Sequence, residues 1–226
     1  MSAYDPFAAV YEELSADMTE DVPFYVELAR EADGPVVELA VGTGRVAAAV
    51  ARETGKRVIG IDASSAMLAK AQATGADLDL RLDDMRDFEL DEPAALIYCP
   101  ARSLLHLPTW RDKRRAFERV AAALRPGGCF AWNAFAFDHQ IAARLEGPHP
   151  DDPVPHTLAY SPSDNRIDIT LHGSGAQISL WWATRPEWEG LIDVSGLEVE
   201  ALYGWFDRRP FDEASREFVW IARKPA

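Results

Sequence analysis

The chain has 226 residues, with 23 lysines and arginines against 37 aspartates and glutamates, so its net charge is −14. This acidic balance argues against a protein that holds nucleic acid or an anionic membrane through phosphate groups, because such binding requires clustered positive charge. The length is typical of one domain, and we expect residues 1–226 to form a single α/β domain.

Further sequence features bear on the compartment in which the protein works. No run of 18 or more apolar residues is present, so no transmembrane helix is expected. The first residues lack the charged and then apolar pattern of a signal peptide. Two cysteines, Cys99 and Cys129, are too few for a disulfide framework and fall in predicted core strands. We therefore expect a cytoplasmic protein with buried thiols.

Apolar residues recur at helical spacing over residues 4–31, which predicts one or two helices. Pro23 fits the start of the second helix, where a proline is tolerated. The simplest interpretation of this segment is a helix that packs over one edge of a sheet.

A strand, a tight turn and a helix start follow each other over residues 36–50. Gly42 and Gly44 allow the backbone to approach a ligand closely, and the free amides at the helix start favour polar or anionic groups. The dinucleotide fingerprint needs a third glycine where Ala47 stands, and a P-loop needs a lysine that is absent. An acid, Glu38, lies inside the strand, four residues before Gly42.

The next strand, Arg57–Asp62, ends in an acid. At the carboxyl end of the second strand of a doubly wound sheet, a carboxylate can accept both hydroxyl protons of a ribose. This feature suits NAD and other adenosine cofactors alike, and a helix-capping aspartate is the alternative interpretation. Ser64 and Ser65 can cap the following helix, which carries Met67.

Two further strands lead into polar loops. Residues 78–88 run from a strand into the acids Asp83 and Asp84, which are either ligand contacts or a solvated loop. The strand 94–99 breaks at Pro100, so the loop with His106 leaves the carboxyl end of a central strand, where open α/β sheets bind ligands. A neutral histidine there could take a proton from an incoming amine or hydroxyl, although a lone histidine is more often structural.

The remaining pattern completes a sheet and adds a flap. Thr109 caps a long amphipathic helix that should end at Gly127–Gly128 and lead into the strand 129–133. After a loop at 147–153, three strands separated by turns predict a small antiparallel flap. Two further strands, at 197–204 and 217–222, end the chain. His149 and His156 lie in or beside the proline-rich loop without visible partners, so we predict no metal site.

The ordered set of Glu38, Gly42, Gly44, Asp62, Asp84 and Pro126-Gly127-Gly128 resembles the class I S-adenosylmethionine (SAM) dependent methyltransferases. The first motif of that family is acid-x-Gly-x-Gly-x-Gly, and here Ala40 stands at its first glycine. The resemblance implies a three-layer, Rossmann-like α/β fold with a seven-stranded, mostly parallel sheet and an antiparallel last strand. It also implies an N-terminal helical lid over residues 1–33 and a substrate-side β flap inserted over residues 138–185.

The resemblance also assigns the cofactor contacts. Glu38 and the backbone of Gly42 and Gly44 would hold the methionine part of SAM, Asp62 the ribose, and Asp84 with Met85 the adenine. The complete expected set is Glu38, Ala40, Gly42, Gly44, Asp62, Ala63, Met67, Asp84 and Met85.

On the acceptor side we expect His106, Tyr11 and Asn133. Methyltransferases that act on sugar amines carry a Ser-x-x-His similar to the one formed by Ser103 and His106. The Asn/Asp-Pro-Pro-Tyr/Phe motif of enzymes that methylate base amines is absent. The acidic chain and the aromatic residues of the flap and of the loop near Trp205 favour a small-molecule acceptor, with methylation at nitrogen or oxygen by in-line displacement.

Two other functions fit the same residues. A non-catalytic SAM-binding or regulatory protein would need the same cofactor contacts, since methyl transfer requires no distinctive side chain. An NAD-linked oxidoreductase is disfavoured by Ala47 and by the lack of a role for Asp84 and Met85. The sequence does not indicate the oligomeric state.

Overall fold

The computed structural model describes residues 11, 15, 18–136 and 139–226. Its helices are α1 (Val22–Glu31), α2 (Arg45–Thr54), α3 (Ser65–Ala73), α4 (Trp110–Ala123), α5 (His139–Leu145) and α6 (Arg185–Val194), with a 3-10 turn at Ser103–His106. In this part of the chain, no helix is both long and apolar enough to cross a membrane. Most of the first predicted helix, including Phe7, Val10 and Leu14, lies outside the described residues.

The strands form two sheets. They are β1 (Val36–Leu39), β2 (Val58–Asp62), β3 (Leu78–Leu82), β4 (Ala94–Cys99), β5 (Leu124–Phe135), β6 (Gly147–His149), β7 (His156–Ser161), β8 (Arg166–Leu171), β9 (Gln177–Trp181), β10 (Glu198–Tyr203) and β11 (Glu217–Arg223).

The larger sheet has seven strands in the order β10-β11-β5-β4-β1-β2-β3. Strands β1 to β5 pair in parallel, whereas β11 runs antiparallel to both β5 and β10. The predicted seven-stranded, mostly parallel sheet with an antiparallel last strand is therefore confirmed. The carboxyl ends of β1, β2 and β4 lie side by side, at the edge where open α/β sheets bind ligands.

Helices cover both faces of this sheet, because successive side chains of each strand point to opposite faces. On β5, Phe130 and Trp132 belong to one buried cluster with Phe117 of α4 and Trp188 of α6. Ala131, between them, belongs to a second cluster that contains residues of α1 and α2. The core thus has two layers, one on each side of the sheet, as the three-layer prediction requires.

Two helix starts agree with their sequence signals. Ser64 accepts a hydrogen bond from the backbone N–H of Met67 at 3.2 Å, and Thr109 accepts one from Asp112 at 3.0 Å. Each hydroxyl satisfies one of the amides that a helix start leaves without an internal partner.

The end of α4 differs from the prediction. The helix ends at Ala123 rather than at Gly127–Gly128, and β5 already begins at Leu124 in extended conformation. Arg125 precedes Pro126, and a residue before proline is disfavoured in the helical region. The glycines therefore follow a strand start, not a helix end.

The smaller sheet is an antiparallel flap in the order β6-β7-β8-β9. Three of its strands match the prediction, and the fourth, β6, covers Gly147–His149, where the sequence predicted a loop. Pro148 has no backbone N–H to donate to a neighbouring strand, so proline is confined to edge strands, and β6 is such an edge strand. The proline-rich sequence therefore does not look like a strand. Helix α5 precedes the flap and was also not predicted.

Replacement by alanine should have opposite effects on stability at Gly60 of β2 and at Gly190 of α6. A Cβ at Gly60 would lie 2.9 Å from Val41 Cγ2 and 3.0 Å from Leu80 Cδ2, whereas one at Gly190 would meet nothing within 4 Å. We expect Gly60→Ala to lower the free energy of unfolding by about 1–3 kcal/mol through overpacking. Gly190→Ala should raise it by about 0.5–1 kcal/mol, because alanine favours a helix.

Urea unfolding followed by circular dichroism measures both changes. Equal stability of Gly60→Ala and wild type would show that Val41 and Leu80 can move aside, and would contradict the tight packing described for β2.

Candidate active site

A cavity of about 560 Å³ lies at the carboxyl ends of β1, β2 and β4, with the flap on its far side. Nine of the twelve residues predicted for the site line it: Tyr11, Ala40, Gly42, Asp62, Ala63, Met67, Asp84, Met85 and His106. The other three, Glu38, Gly44 and Asn133, do not line this cavity. The residues predicted from separate segments are thus brought to one place by the strand order.

The turn after β1 requires left-handed backbone at three alternate positions. Ala40, Gly42 and Gly44 have φ of 54°, 55° and 81°. Glycine adopts this conformation without strain, whereas alanine pays for its Cβ, by roughly 1–2 kcal/mol. Ala40, which stands at the first glycine of the family motif, therefore adopts the backbone that the glycine would favour.

Gly42 and Gly44 have different surroundings. A Cβ at Gly42 would lie 3.8 Å from the ring of Tyr11, in ordinary contact, whereas one at Gly44 would lie 3.2 Å from Ala71 Cβ in α3. Gly42 faces the cavity, and Gly44 begins α2 and lets it approach α3. Gly44 therefore acts on the site through packing.

Asp62 lies at the end of β2 and is almost fully buried. Its Oδ2 accepts a hydrogen bond from the backbone N–H of Gly42, and its Oδ1 accepts one from that of Ser64, both at 2.8 Å. Hydrogen bonds to a carboxylate are about twice as strong as those between neutral groups. The carboxylate thus fixes the turn after β1 and the start of α3 against each other, on the wall of the cavity.

Glu38 lies beneath the same turn, 2% exposed. Burial raises the pKa of its carboxyl from 4.5 to about 8, while the neighbouring Tyr98 hydroxyl and the charge of Arg45 act to lower it. Tyr98 is close enough to affect this pKa, yet Oε2 of Glu38 makes no well-formed hydrogen bond with a described residue. A buried acid of this kind holds its proton at neutral pH unless a cation approaches.

Asp84 is held by Arg86. Its Oδ1 accepts hydrogen bonds from the backbone N–H and Nε of Arg86, both at 2.9 Å, and its Oδ2 accepts one from a terminal nitrogen of that guanidinium at 2.6 Å. The guanidinium lowers the pKa of Asp84 and also donates to Asp112 of α4 at 2.9 Å. Arg86 itself lines the cavity, although it was not among the residues predicted for the site.

His106 ends the 3-10 turn after β4 and lines the cavity. Burial lowers the pKa of its imidazole from 6.5 to about 4; a hydrogen bond with the backbone of Ser179 in β9 opposes this change, and the charge of Lys113 adds to it. The ring is therefore neutral at physiological pH. Its contact with Ser179 joins the loop after β4 to the flap.

Tyr11 lies over Gly42, and burial raises the pKa of its hydroxyl. Nearby, the guanidinium of Arg45 donates to Asp21 at 2.7 and 2.6 Å and to the carbonyl oxygen of Met18. Met18 lines the cavity beside Tyr11. Arg45 therefore ties the segment before α1 to the first turn of α2.

Asn133 belongs to a buried network behind the cavity. Its Nδ2 donates to Glu217 at 2.5 Å, and its Oδ1 accepts from the hydroxyl of Tyr25 at 3.1 Å. Glu217, 1% exposed, also accepts from Nε of Arg102, at 3.1 Å to each oxygen. The guanidinium of Arg102 lies 4.1 Å above the ring of Phe135.

This network borders a second cavity of about 140 Å³, which Asn133 lines together with Trp205 and Phe206. Arg102 and Met18 line both cavities and so separate them. Ala101 and Arg102 are consecutive residues in left-handed conformation, with φ of 55° and 61°. Such strain is common at functional sites, and the break at Pro100 is its only sign in the local sequence pattern.

The flap covers the cavity with aliphatic rather than aromatic side chains. Ile169, Ile178 and Leu180 line it. Tyr160 and Trp182 stack on each other at 5.4 Å and pack with the core. The expectation that flap aromatics point to a small-molecule acceptor therefore has no support from the lining of the main cavity.

Comparisons with known proteins agree with this architecture. Residues 36–128 match a family model described as a methyltransferase domain. The chain is 30% identical over 206 residues, 88% of this chain and 78% of the relative, to dTDP-4-amino-2,3,4,6-tetradeoxy-D-glucose N,N-dimethyltransferase of Saccharopolyspora spinosa. It is also 30% identical over 195 residues, 80% of this chain and 71% of the relative, to trans-aconitate 2-methyltransferase of an Azoarcus species.

Among solved structures, the CcbJ methyltransferase from Streptomyces caelestis superposes with a TM-score of 0.85 at 25% identity, over 100% of this chain and 99% of the other. The agreement thus includes the flap as well as the sheet. The turn after β1 and the acid at the end of β2 agree with these similarities. The chain belongs to the SAM-dependent methyltransferases and is an enzyme that uses S-adenosylmethionine.

Proposed function

We propose that this enzyme methylates the amine nitrogen of a small acceptor, an amino sugar, and that SAM occupies the wall of the main cavity formed by β1, β2 and the loop after β3. The observation that carries the proposal is a neutral, buried imidazole, His106, in the same cavity as Gly42 and Asp62. The similarity to an amino-sugar N,N-dimethyltransferase over 88% of the chain supports the choice of acceptor.

The residues on the cofactor side suit an adenosine with a charged amino-acid tail. Asp62 lines the cavity with a carboxylate that already accepts two backbone hydrogen bonds, and a carboxylate has the acceptor chemistry that ribose hydroxyls require. Asp84 and Met85 offer an acceptor for the adenine amino group and an apolar side chain for its ring, with Ala63 and Met67 alongside. SAM, when bound, supplies an electrophilic methyl group on a positively charged sulfur.

Glu38 would interact with SAM through the negative charge of its carboxylate. Its Oε2 is buried without a well-formed hydrogen bond to a described residue, and burial favours the protonated form more than the Tyr98 hydroxyl and the charge of Arg45 favour the ionised one. A cation bound at the Gly42 turn would favour the ionised form. We propose that Glu38 stabilises the positive charge of the methionine part in this way, from beneath Ala40 and Gly42.

On the acceptor side, His106 orients the amine. The low pKa keeps the imidazole neutral, so the ring can accept a hydrogen bond from an amine N–H and later take its proton. Tyr11 would close the opposite wall and exclude water, and the aliphatic flap residues would lower the local dielectric. Asn133 would act at a distance, by holding Glu217 and with it Arg102 between the two cavities.

The charges of the cavity favour an amine over a carboxylate acceptor, the alternative that the trans-aconitate relative suggests. The two arginines that line it, Arg86 and Arg102, already pair with Asp84, Asp112 and Glu217. Among the described lining residues, neither arginine is left to neutralise a carboxylate substrate. We further propose that residues 1–226 act as one domain, with residues 1–33 as a lid and 138–185 as the substrate-side flap.

The acceptor class can be tested directly. Purified enzyme with SAM would be offered a nucleotide-linked amino sugar, its hydroxyl counterpart and an unsaturated tricarboxylic acid, and the products analysed by mass spectrometry. Methylation of the amine alone supports the proposal, and methylation of only the hydroxyl or carboxyl compound refutes it.

Asp62→Ala should weaken the binding of S-adenosylhomocysteine at least tenfold, because hydrogen bonds to a charged group contribute roughly 1.5–3 kcal/mol each. Calorimetric titration measures the change, with NAD as the control ligand and Asp193→Ala, an exposed acid on α6, as the control variant. Unchanged affinity in Asp62→Ala, or tighter binding of NAD in the wild type, would remove the assignment of the ribose site.

His106→Gln should lower kcat about 10²-fold or more with an amine acceptor, since a positioned base contributes 10²–10⁴-fold. The affinity for S-adenosylhomocysteine should stay within about twofold, as expected for a residue that acts on the acceptor. His172→Gln, on the exposed face of the flap, is the control. Loss of cofactor affinity with unchanged kcat would assign His106 to the cofactor side.

Glu38→Gln should change how stability depends on pH. In the unfolded chain the carboxyl ionises near pH 4.5, whereas in the folded protein it keeps its proton up to about pH 8. Unfolding therefore releases a proton between these values, and the free energy of unfolding falls as the pH rises through this window. Glutamine cannot ionise, so the stability of the variant relative to the wild type should rise by about 3 kcal/mol between pH 5 and pH 8.

Chemical denaturation at several pH values measures this difference, with the exposed Glu92→Gln as the control. A constant difference between Glu38→Gln and wild type across the window would show that Glu38 is ionised in the folded protein.

A further inference from the structure

We propose that His149, Asp152 and His156, at the corner of the flap, bind a divalent transition-metal ion, for which zinc is the probe. These residues lie outside the main cavity, and the methyltransferase assignment gives them no role. The sequence alone showed two histidines in or beside a proline-rich loop and no further metal ligand. The fold brings Asp152 close to both of them.

The strand pairing brings the three side chains together. His149 of β6 lies directly opposite His156 of β7, and the two imidazole rings stack with centroids 5.0 Å apart and planes 15° from parallel. Asp152, in the connection between the strands, places a carboxylate oxygen 3.9 Å from Nδ1 of His156. One potential ligand atom from each residue lies within 4.8 Å of the other two.

Backbone carbonyl oxygens orient both rings. Nε2 of His149 lies 2.8 Å from the carbonyl oxygen of Leu145, and Nδ1 of His156 lies 2.9 Å from that of Val154. Since a carbonyl oxygen only accepts, each of these nitrogens donates, and the other nitrogen of each ring carries the lone pair. Nδ1 of His156, which faces Asp152, donates to Val154, so this ring would have to turn or exchange its proton between the two nitrogens to bind a metal beside Asp152. Metal-ligating histidines are typically oriented by such a second hydrogen bond.

Two imidazoles and one carboxylate are a donor set that suits zinc and its neighbours rather than magnesium or calcium. Ligand atoms at 2.0–2.2 Å from a tetrahedral zinc lie about 3.3–3.5 Å apart, so the present 4.8 Å would have to shorten by roughly 1.5 Å. Asp152 is exposed and His149 partly so, which leaves room for rotation of these two side chains, whereas the side chain of His156 is only 16% exposed. The chain's net charge of −14 favours a cation.

The bound ion would link the short edge strand β6 and the connection that follows it to β7, and would stabilise their positions. Val154, in this connection, is buried with Leu171 of β8 and with Met67, which lines the main cavity. Metal binding would therefore hold the corner of the flap that packs on α3. A ligand that binds only the folded state raises its stability by mass action.

The test is a zinc titration of tag-free protein, freed of metal by chelator dialysis, in competition with a chromophoric chelator. The variants are His149→Ala, His156→Ala and Asp152→Asn. His172→Ala is the matched control, a histidine of the same flap that contacts Thr157 and lies outside the cluster. Circular dichroism and thermal unfolding without metal check that each variant is folded.

We expect the wild type and His172→Ala to bind one zinc ion per chain, and to unfold at a higher temperature with zinc than without. His149→Ala and His156→Ala should bind at least tenfold more weakly and lose the thermal shift, and Asp152→Asn should be intermediate. Binding by the wild type that is no tighter than by a folded histidine variant, or equal loss in His172→Ala, would overturn the proposal. Because none of these measurements uses SAM or an acceptor, the result is independent of the proposed function.

Discussion

The carboxylate of Asp62 is the interaction on which the geometry of the active site depends. It accepts backbone hydrogen bonds from Gly42 and Ser64, which belong to two different turns. Ser64 in turn caps α3, the helix that carries Met67. One charged side chain therefore sets the positions of the turn after β1, of Ala63 and of the first turn of α3 on the cavity wall. Hydrogen bonds to a charged group contribute more than neutral ones, so this arrangement resists displacement.

Buried acids impose a second constraint. Glu217 is offset by Arg102 and Asn133, and the guanidinium of Arg102 is supported by Phe135. This pairing holds two consecutive residues, Ala101 and Arg102, in left-handed backbone that an isolated chain would avoid. For Glu38, burial outweighs the charge of Arg45 and the neighbouring Tyr98 hydroxyl, and the carboxyl keeps its proton. Burying a charged carboxylate is unfavourable, and the two acids avoid this free-energy penalty in different ways: Glu217 pairs with a cation, whereas Glu38 remains neutral.

The flap forms the far side of the cavity and contacts the loop that follows β4 of the large sheet. Its aliphatic residues Ile169 and Ile178 line the cavity, while the backbone of Ser179 holds His106. Burial is the main cause of the lowered pKa of His106, and the hydrogen bond with Ser179 of the flap opposes this change. The proposed metal site lies at the other edge of the flap, on β6, which pairs with β7 and contacts the carbonyl oxygen of Leu145 through His149.

The sequence alone predicted the individual strands, the turn at Gly42 and the places of Asp62, Asp84 and His106 after their strands, and its resemblance to the methyltransferase family implied the seven-stranded sheet. The strands and the residues that follow them are local features, because a residue after a parallel strand must lie at the sheet's carboxyl edge. Only the tertiary structure decided which way side chains point and what they pair with. Asn133 faces Glu217, 84 residues further along the chain, and not the main cavity. Pairing over such distances depends on strand register and packing, which local periodicity and motif spacing do not contain.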